Sequence, residues 1–167
     1  MYKPSYNKLM KGLPFYTDGL RFSCVRCSNC CRYESGYVYL SENDLNRLAN
    51  ELKMNLTEFI KTWCRWVPFD NSRDRLSLKE KSNFDCIFWG SSDGKEGCRV
   101  YEQRPLQCRA FPFWDHIVLS QEAWKNAGLK CPGIGKGEWH SKNQIDNWVF
   151  QTEEEPVIER ELPRIGV

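Results

Sequence analysis

Nine cysteines stand in a chain of 167 residues, and four of them fall within eight positions as Cys24-Val-Arg-Cys27-Ser-Asn-Cys30-Cys31. Thiolates are soft ligands that hold zinc or iron-sulfur clusters, and C-x-x-C spacing lets two sulfurs turn back toward one centre. Four more, Cys86, Cys98, Cys108 and Cys131, follow later in the chain. With Cys64 set aside, these eight are twice the four ligands usual for a zinc site or a cluster, which invites two centres without proving them. Cys30 and Cys31 are neighbours, and successive side chains usually point in different directions. They are therefore not expected to share one small ion without backbone strain. Either two centres share the loop, or one of the pair is not a ligand.

The choice of metal turns on what accompanies the thiols. Zinc sites often recruit histidine, and the two here, His116 and His140, have no zinc-like spacing to the cysteines. The C-x-x-C-x-x-C run and the distant Cys131-Pro132 echo bacterial ferredoxins, although the fourth cysteine follows the third directly. An iron-sulfur cluster is favoured over zinc on this ground. Basic residues also adjoin six cysteines, as Arg26-Cys27, Cys31-Arg32, Cys64-Arg65, Cys98-Arg99, Cys108-Arg109 and Lys130-Cys131. A nearby cation favours thiolate over thiol. The alternative is that these cations face water or pair with surface carboxylates. Cys64, between Trp63 and Arg65, reads as a small buried apolar residue.

Composition narrows the function classes. Lys and Arg number 24 against 22 Asp and Glu, a formal net charge of +2, so no electrostatic argument points to nucleic acid or an anionic membrane. A protein partner is expected, and oligomeric state is left open. The first twenty residues lack the apolar core of about 7–15 residues that a secretory leader needs, and no apolar run reaches about 18. A cytoplasmic location follows as an expectation, and there dense cysteines point to metal binding or catalysis rather than disulfides. A disulfide scaffold also suits poorly a chain that is 41% apolar and 14% aromatic, enough for one compact domain with its own core.

The elements that must position the thiols are short. They predict a small irregular α+β domain organised around cysteine ligands, with no βαβ repeat. Residues 1–21 read as an N-terminal extension, 22–150 as the cysteine-cluster domain, and 151–167 as a tail, poorly ordered from Thr152. Tyr37-Val38-Tyr39-Leu40 is β-prone. Ser41 and Asp44 predict a helix from Glu42, with Leu45, Leu48, Ala49 and Leu52 facing a core. Asn55 caps a second helix, with Leu56, Phe59, Ile60 and Trp63 buried, which carries Cys64 and ends at Pro68. Arg75–Lys79 alternates like a strand, and the glycines from Gly90 to Gly97 make a hairpin that returns Cys98 beside Cys86. Arg104-Pro105 opens a short helix bearing Cys108, stopped by Pro112. The pattern Asp115–Leu119 reads as a strand, and Ser120 caps a helix that Gly128 closes. Cys131–Gly137 reads as an irregular glycine loop able to wrap a cluster, without a phosphate-loop pattern. Ser141 caps a last helix through Trp148. The aromatic residues near the late cysteines, Phe88, Trp89, Tyr101, Phe111, Phe113 and Trp114, read as core.

Taken together, Cys24-Val-Arg-Cys27-Ser-Asn-Cys30-Cys31, the Tyr37–Ala49 segment, Cys98-Arg-Val-Tyr101-Glu-Gln-Arg104-Pro105-Leu-Gln-Cys108-Arg109-Ala-Phe111-Pro112-Phe113 and Cys131-Pro-Gly resemble the YkgJ-like CxxCxxCC family, described as zinc- or iron-chelating. The resemblance spans about residues 22 to 137. It implies that Cys24, Cys27, Cys30, Cys31, Cys86, Cys98, Cys108 and Cys131 belong to metal sites, with Arg104, Pro105 and Arg109 supporting them and Cys64 outside. Many relatives have glycine where Ser28 stands; a left-handed backbone there would cost serine roughly 1 kcal/mol. Some relatives occur in proteins linked to lysine methylation of flagellin. The leading reading is a metal- or cluster-binding protein in electron transfer or assembly. A methylation-linked enzyme and a structural-zinc interaction module are the alternatives. The enzyme reading lacks a G-x-G-x-x-G turn and a C-x-x-x-C-x-x-C run, and no catalytic residue is assigned.

Overall fold

The computed structural model describes residues 13–92 and 94–162. In chain order its elements are β1 (Leu20–Phe22), α1 (Glu42–Glu51), α2 (Leu56–Trp63), β2 (Cys64–Pro68), β3 (Arg73–Leu78), β4 (Trp89–Ser92), β5 (Lys95–Cys98), α3 (Leu106–Ala110), α4 (Asp115–Val118), α5 (Gln121–Lys130), β6 (Ile134–His140), α6 (Lys142–Glu154) and β7 (Glu159–Glu161). Turns of 3₁₀ helix lie at Asn29–Cys31 and Tyr101–Gln103. The fold is α+β, with short helices and small antiparallel sheets. The first twelve residues of the expected extension and residues 163–167 of the expected tail lie outside the described residues.

Two compact units divide the chain, each with its own apolar core: Met1–Asn29 with Ala110–Glu155, called here the first unit, and Cys30–Arg109 with Pro156–Val167, the second.

In the second unit, β2, β3 and β7 form an antiparallel sheet in that order, with Trp66 opposite Leu76 and Arg75 opposite Glu159. Leu40, Leu45, Leu48, Phe59, Leu76 and Phe88 centre the core. The Ser41 hydroxyl accepts from the Asp44 amide at 3.0 Å to start α1, and Asn55 caps α2 through the Glu58 amide at 2.9 Å. The second helix stops at Trp63 rather than Pro68. From Cys64 onward the chain pairs residue for residue with β3, so a sheet partner overrides helix periodicity. Cys64 thus opens a strand, and Leu56, in the first turn of α2, is 40% exposed instead of buried. The β-prone Val38–Leu40 lies along β3: the Leu78 amide donates to the Val38 carbonyl at 2.9 Å and the Leu40 amide to Leu76 at 3.1 Å. The β4–β5 hairpin forms as expected, with Gly94 at φ 73° and Cys98 opposite Trp89.

The tail is corrected by the structure. Thr152 continues α6, and Glu159–Glu161 is a strand because Glu159 pairs with Arg73 and Arg75, and Arg160 with Asp74.

In the first unit, β1 pairs with β6, and Tyr16, Phe113, Ile117, Val118, Trp124, Ile145 and Val149 form the core. The expected strand at Asp115–Leu119 is the helix α4. A strand would bury Ile117 and Leu119 alternately, but Ile117 and Val118 are both buried and Leu119 is exposed, so the segment coils. Helix α5 continues past Gly128 to Lys130, and α6 continues past Trp148 behind a Ser141–Gln144 capping box. The expected irregular loop becomes β6 from Ile134, with Gly135 and Gly137 at φ 78° and 75°. No helix among the described residues is long and apolar enough to cross a membrane.

Candidate metal centre

Five of the eight candidate cysteines fall in the second unit. Cys30 and Cys31 end a 3₁₀ turn with their Sγ atoms 3.6 Å apart. The expected divergence of neighbouring side chains is therefore not seen. Around the turn, Arg26, Ser28 and Tyr33 hold φ of 55°, 64° and 73°. Two thiolates on one tetrahedral ion, with metal-sulfur bonds of about 2.3 Å, are about 3.8 Å apart. The pair already lies near that spacing.

Cys86 is tied to this turn by its amide, which donates to the Cys31 carbonyl at 2.7 Å. Alongside, Arg32 Nε donates to buried Asp85 Oδ1 at 3.2 Å, and its guanidinium lies 3.6 Å over the Trp89 ring. The Trp89 amide donates to the Cys86 carbonyl at 2.9 Å, and Cys98 sits opposite Trp89. Cys108 rides on α3, whose start is held by a carboxylate from α1. Asp44, 3% exposed, accepts the Leu106 amide at 2.9 Å and Arg47 Nη2 at 2.7 Å. Arg47 and Arg109 in turn donate to the Arg104 carbonyl at 2.9 and 3.1 Å.

The five thiols act on one another. The Cys31 thiol is pushed well up, first because its S–H donates to Cys30, then by burial and by Cys30, Cys108 and Cys86. The same hydrogen bond brings Cys30 down to about 7 against burial. Burial raises Cys108, helped by Cys86, Cys30 and Cys98. Cys86 and Cys98 also go up by burial, Cys86 with contributions from Cys98 and Cys30, Cys98 with one from Cys30. The cation that favours thiolates here is chiefly Arg104, which acts on Cys30, Cys98 and Cys108, with Arg99 adding to it at Cys98. The residues adjoining cysteines behave otherwise in two cases: Arg32 pairs with Asp85, and Arg65 with Glu80 at 3.1 Å.

The remaining three candidates lie in the first unit. Cys24 and Cys27 are exposed, and half-buried Cys131 caps the C-terminus of α5. The eight-cysteine set thus divides three and five between the units. Cys64 is 5% exposed in the apolar core, and burial pushes its thiol up to about 12, in keeping with a packing role.

Among the described residues, no group of three or more His, Cys, Asp or Glu side chains is placed to hold a metal ion. The donor chemistry of the second unit nevertheless fits a thiophilic cation. Crowded, half-buried thiols resist ionising beside one another, and a divalent ion reverses that preference. Among the described residues, the buried indole N–H of Trp89, the first residue of β4, finds no acceptor. Sequence reasoning missed the second role of Asp44, whose signal was an acid on the edge of an apolar stripe, and that of Asp85, which carries no signal beyond its place before Cys86.

The family model described as "CxxCxxCC: Putative zinc- or iron-chelating domain" matches residues 23–132. An uncharacterised protein of Methanocaldococcus jannaschii is 26% identical over 129 residues, 74% of this chain, and the chain spans 41% of that relative's length. No solved structure matches.

Proposed function

The chain belongs to the CxxCxxCC family, and from that premise we propose that it holds zinc or iron on thiolates of Cys30, Cys31, Cys86, Cys98 and Cys108, with Cys24, Cys27 and Cys131 completing the eight-cysteine set. The observation that carries this reading is the Cys30–Cys31 pair, Sγ atoms 3.6 Å apart, with Cys86 tied to the same turn by its amide bond to the Cys31 carbonyl at 2.7 Å. A bound cation supplies the positive charge that lets such thiols ionise together.

The 3.6 Å spacing of Cys30 and Cys31 supports a centre in which one metal takes both thiols. In a four-iron cluster each iron takes one cysteine, so its ligands cannot sit so close. A single tetrahedral ion, or one iron of a two-iron cluster, takes two. The role we infer is electron transfer or support of another system, with a protein partner meeting the exposed Cys30 edge. Anaerobic purification followed by iron, zinc and acid-labile sulfide analysis tests the reading. Stoichiometric zinc, or iron with sulfide and a two-iron absorption spectrum, is expected. Protein free of both metals, or unchanged metal content in both Cys30→Ser and Cys108→Ser, would overturn it.

A further inference from the structure

We propose that Cys30 and Cys31 form a redox-active dithiol, which exchanges with a low-molecular-weight disulfide such as oxidised glutathione and closes reversibly into a disulfide between neighbouring residues. The inference goes beyond metal binding. It rests on the proposed function only in adding that closure expels the ion, and the dithiol chemistry itself needs no metal.

The geometry assigns the two thiols different tasks. Their Sγ atoms are 3.6 Å apart, so a turn of the side chains brings them to the bond length of about 2 Å. Cys31 is the fixed partner. It is half-buried, its carbonyl accepts the Cys86 amide at 2.7 Å, and the next residue, Arg32, is held by Asp85 at 3.2 Å and lies 3.6 Å over the Trp89 ring. Cys30 is exposed, so an incoming disulfide meets this sulfur first. Tyr33, 63% exposed at φ 73°, leaves that side of the turn open to solvent.

The exchange has two steps. Cys30 Sγ attacks one sulfur of the small disulfide, its S–S bond breaks, and the first small thiol leaves with the Cys30 proton. Cys31 Sγ then attacks Cys30 Sγ, and the second small thiol leaves with the Cys31 proton. Two cysteine thiols are oxidised, and one small disulfide is reduced to two thiols. The product is labile for a structural reason. Neighbouring Cα atoms across a trans peptide stand about 3.8 Å apart, below the roughly 4.4–6.8 Å of ordinary disulfides, and strained or exposed disulfides are the readily reduced ones. A sulfur in a disulfide is no longer a thiolate ligand, so closure removes two ligands at once.

The test treats anaerobically purified full chain with increasing oxidised glutathione, then quenches in acid, denatures, alkylates and digests with trypsin. Cleavage after Arg26 and Arg32 releases Cys27-Ser-Asn-Cys30-Cys31-Arg32 as one peptide. Fragmentation of this peptide should place an alkyl group on Cys27 alone, with Cys30 and Cys31 two hydrogen atoms lighter, and excess reduced glutathione should restore both as alkylatable thiols. In Cys31→Ser the reaction should halt with glutathione on Cys30. If that variant fails to fold, the unaltered chain decides alone. Full alkylation of Cys30 and Cys31 at every glutathione ratio, a disulfide joining Cys30 to another cysteine, or a Cys30–Cys31 bond that reduced glutathione leaves closed overturns the dithiol and leaves metal binding standing. Metal released in step with the disulfide is the expected result in the same samples. Closure in a chain that carries no metal as purified, or that keeps its metal, overturns the proposed ligand assignment instead.

Discussion

Asp44 offers the sharpest test of how the second unit positions Cys108. Its carboxylate is nearly inaccessible and accepts both the first amide of α3 and the Arg47 guanidinium. In Asp44→Ala the Leu106 amide is left buried without an acceptor, and Arg47 keeps only its bond to the Arg104 carbonyl. A hydrogen bond to a charged group contributes about 1.5–3 kcal/mol. Relief of carboxylate burial offsets part of the loss, and Arg47, at 31% side-chain exposure, recovers some hydration. The net cost is about 2–3 kcal/mol, a fall in Tm of roughly 4–12 °C for a chain of this size. Asp44→Asn keeps an oxygen for the Leu106 amide and buries no charge, so it should cost about 1 kcal/mol or less.

The pH dependence has a definite sign. Burial raises the Asp44 carboxyl above its ordinary 3.8. The folded chain therefore binds this proton more readily than the unfolded chain, and the associated stability is present below pH 3.8 and lost as pH rises through the folded value. The gap between the unaltered chain and Asp44→Asn should narrow as pH rises through that window. Exposed Asp70 provides the opposite case. Its amide and hydroxyl bonds from Ser72 and its pairing with Arg73 hold it down at about 2, so its contribution is lost as pH falls from 3.8 toward 2. Thermal unfolding by circular dichroism across pH, with metal content measured in parallel, reads all of this. Equal Tm for the alanine and asparagine variants, or a gap that widens with pH, would refute the anchoring role.

Three further outcomes are expected. Ser28→Gly removes a left-handed serine at a relief of roughly 1–2 kcal/mol, less about 0.5–1 kcal/mol of glycine entropy, so Tm should hold or rise; a clear fall would refute the strain argument. Gly133→Ala forces a methyl onto the Ser23 carbonyl and should cost about 1–3 kcal/mol, while Gly36→Ala, with nothing within 4 Å, should stay within about 0.5 kcal/mol; equal effects in thermal melts would count against the close approach. Cys64→Ser buries a hydroxyl in an apolar core at about 1–3 kcal/mol yet should leave metal content unchanged, and metal loss in a folded variant would place Cys64 in the ligand set.

Local signals carried much of the fold. Ser41, Asn55, Ser120 and Ser141 each cap the helix they announced, and the hairpin that returns Cys98 opposite Trp89 follows from its glycines. Two of the failures share a cause. Cys64–Pro68 and Glu159–Glu161 become strands only because β3 lies beside them, and no window of local sequence contains that partner. The same holds at the site. The cysteines were legible as types and spacings, but the division into three and five depends on which contacts each segment makes. The cation with the widest reach over the thiols, Arg104, adjoins none of them in sequence.

Backbone cost is concentrated around the cysteines. Among the described residues, five non-glycine residues have positive φ: Arg26, Ser28, Tyr33, Lys53 and Phe84. Lys53 follows the last turn of α1, where a left-handed residue ordinarily ends a helix. The other four lie within two residues of Cys27, Cys31 or Cys86, and two of them are exposed aromatics, Tyr33 and Phe84, whose burial offsets nothing. At roughly 1–2 kcal/mol each they cost about 4–8 kcal/mol, comparable with the whole net stability of a typical domain at about 5–15 kcal/mol. Structural metal binding contributes about 10–16 kcal/mol, enough to hold such a loop, and the strain lies where ligation would be felt. Ligation and local folding at these segments are then one equilibrium, so a chelator that strips the metal should loosen the loop from Cys24 to Tyr33 before it disturbs the cores.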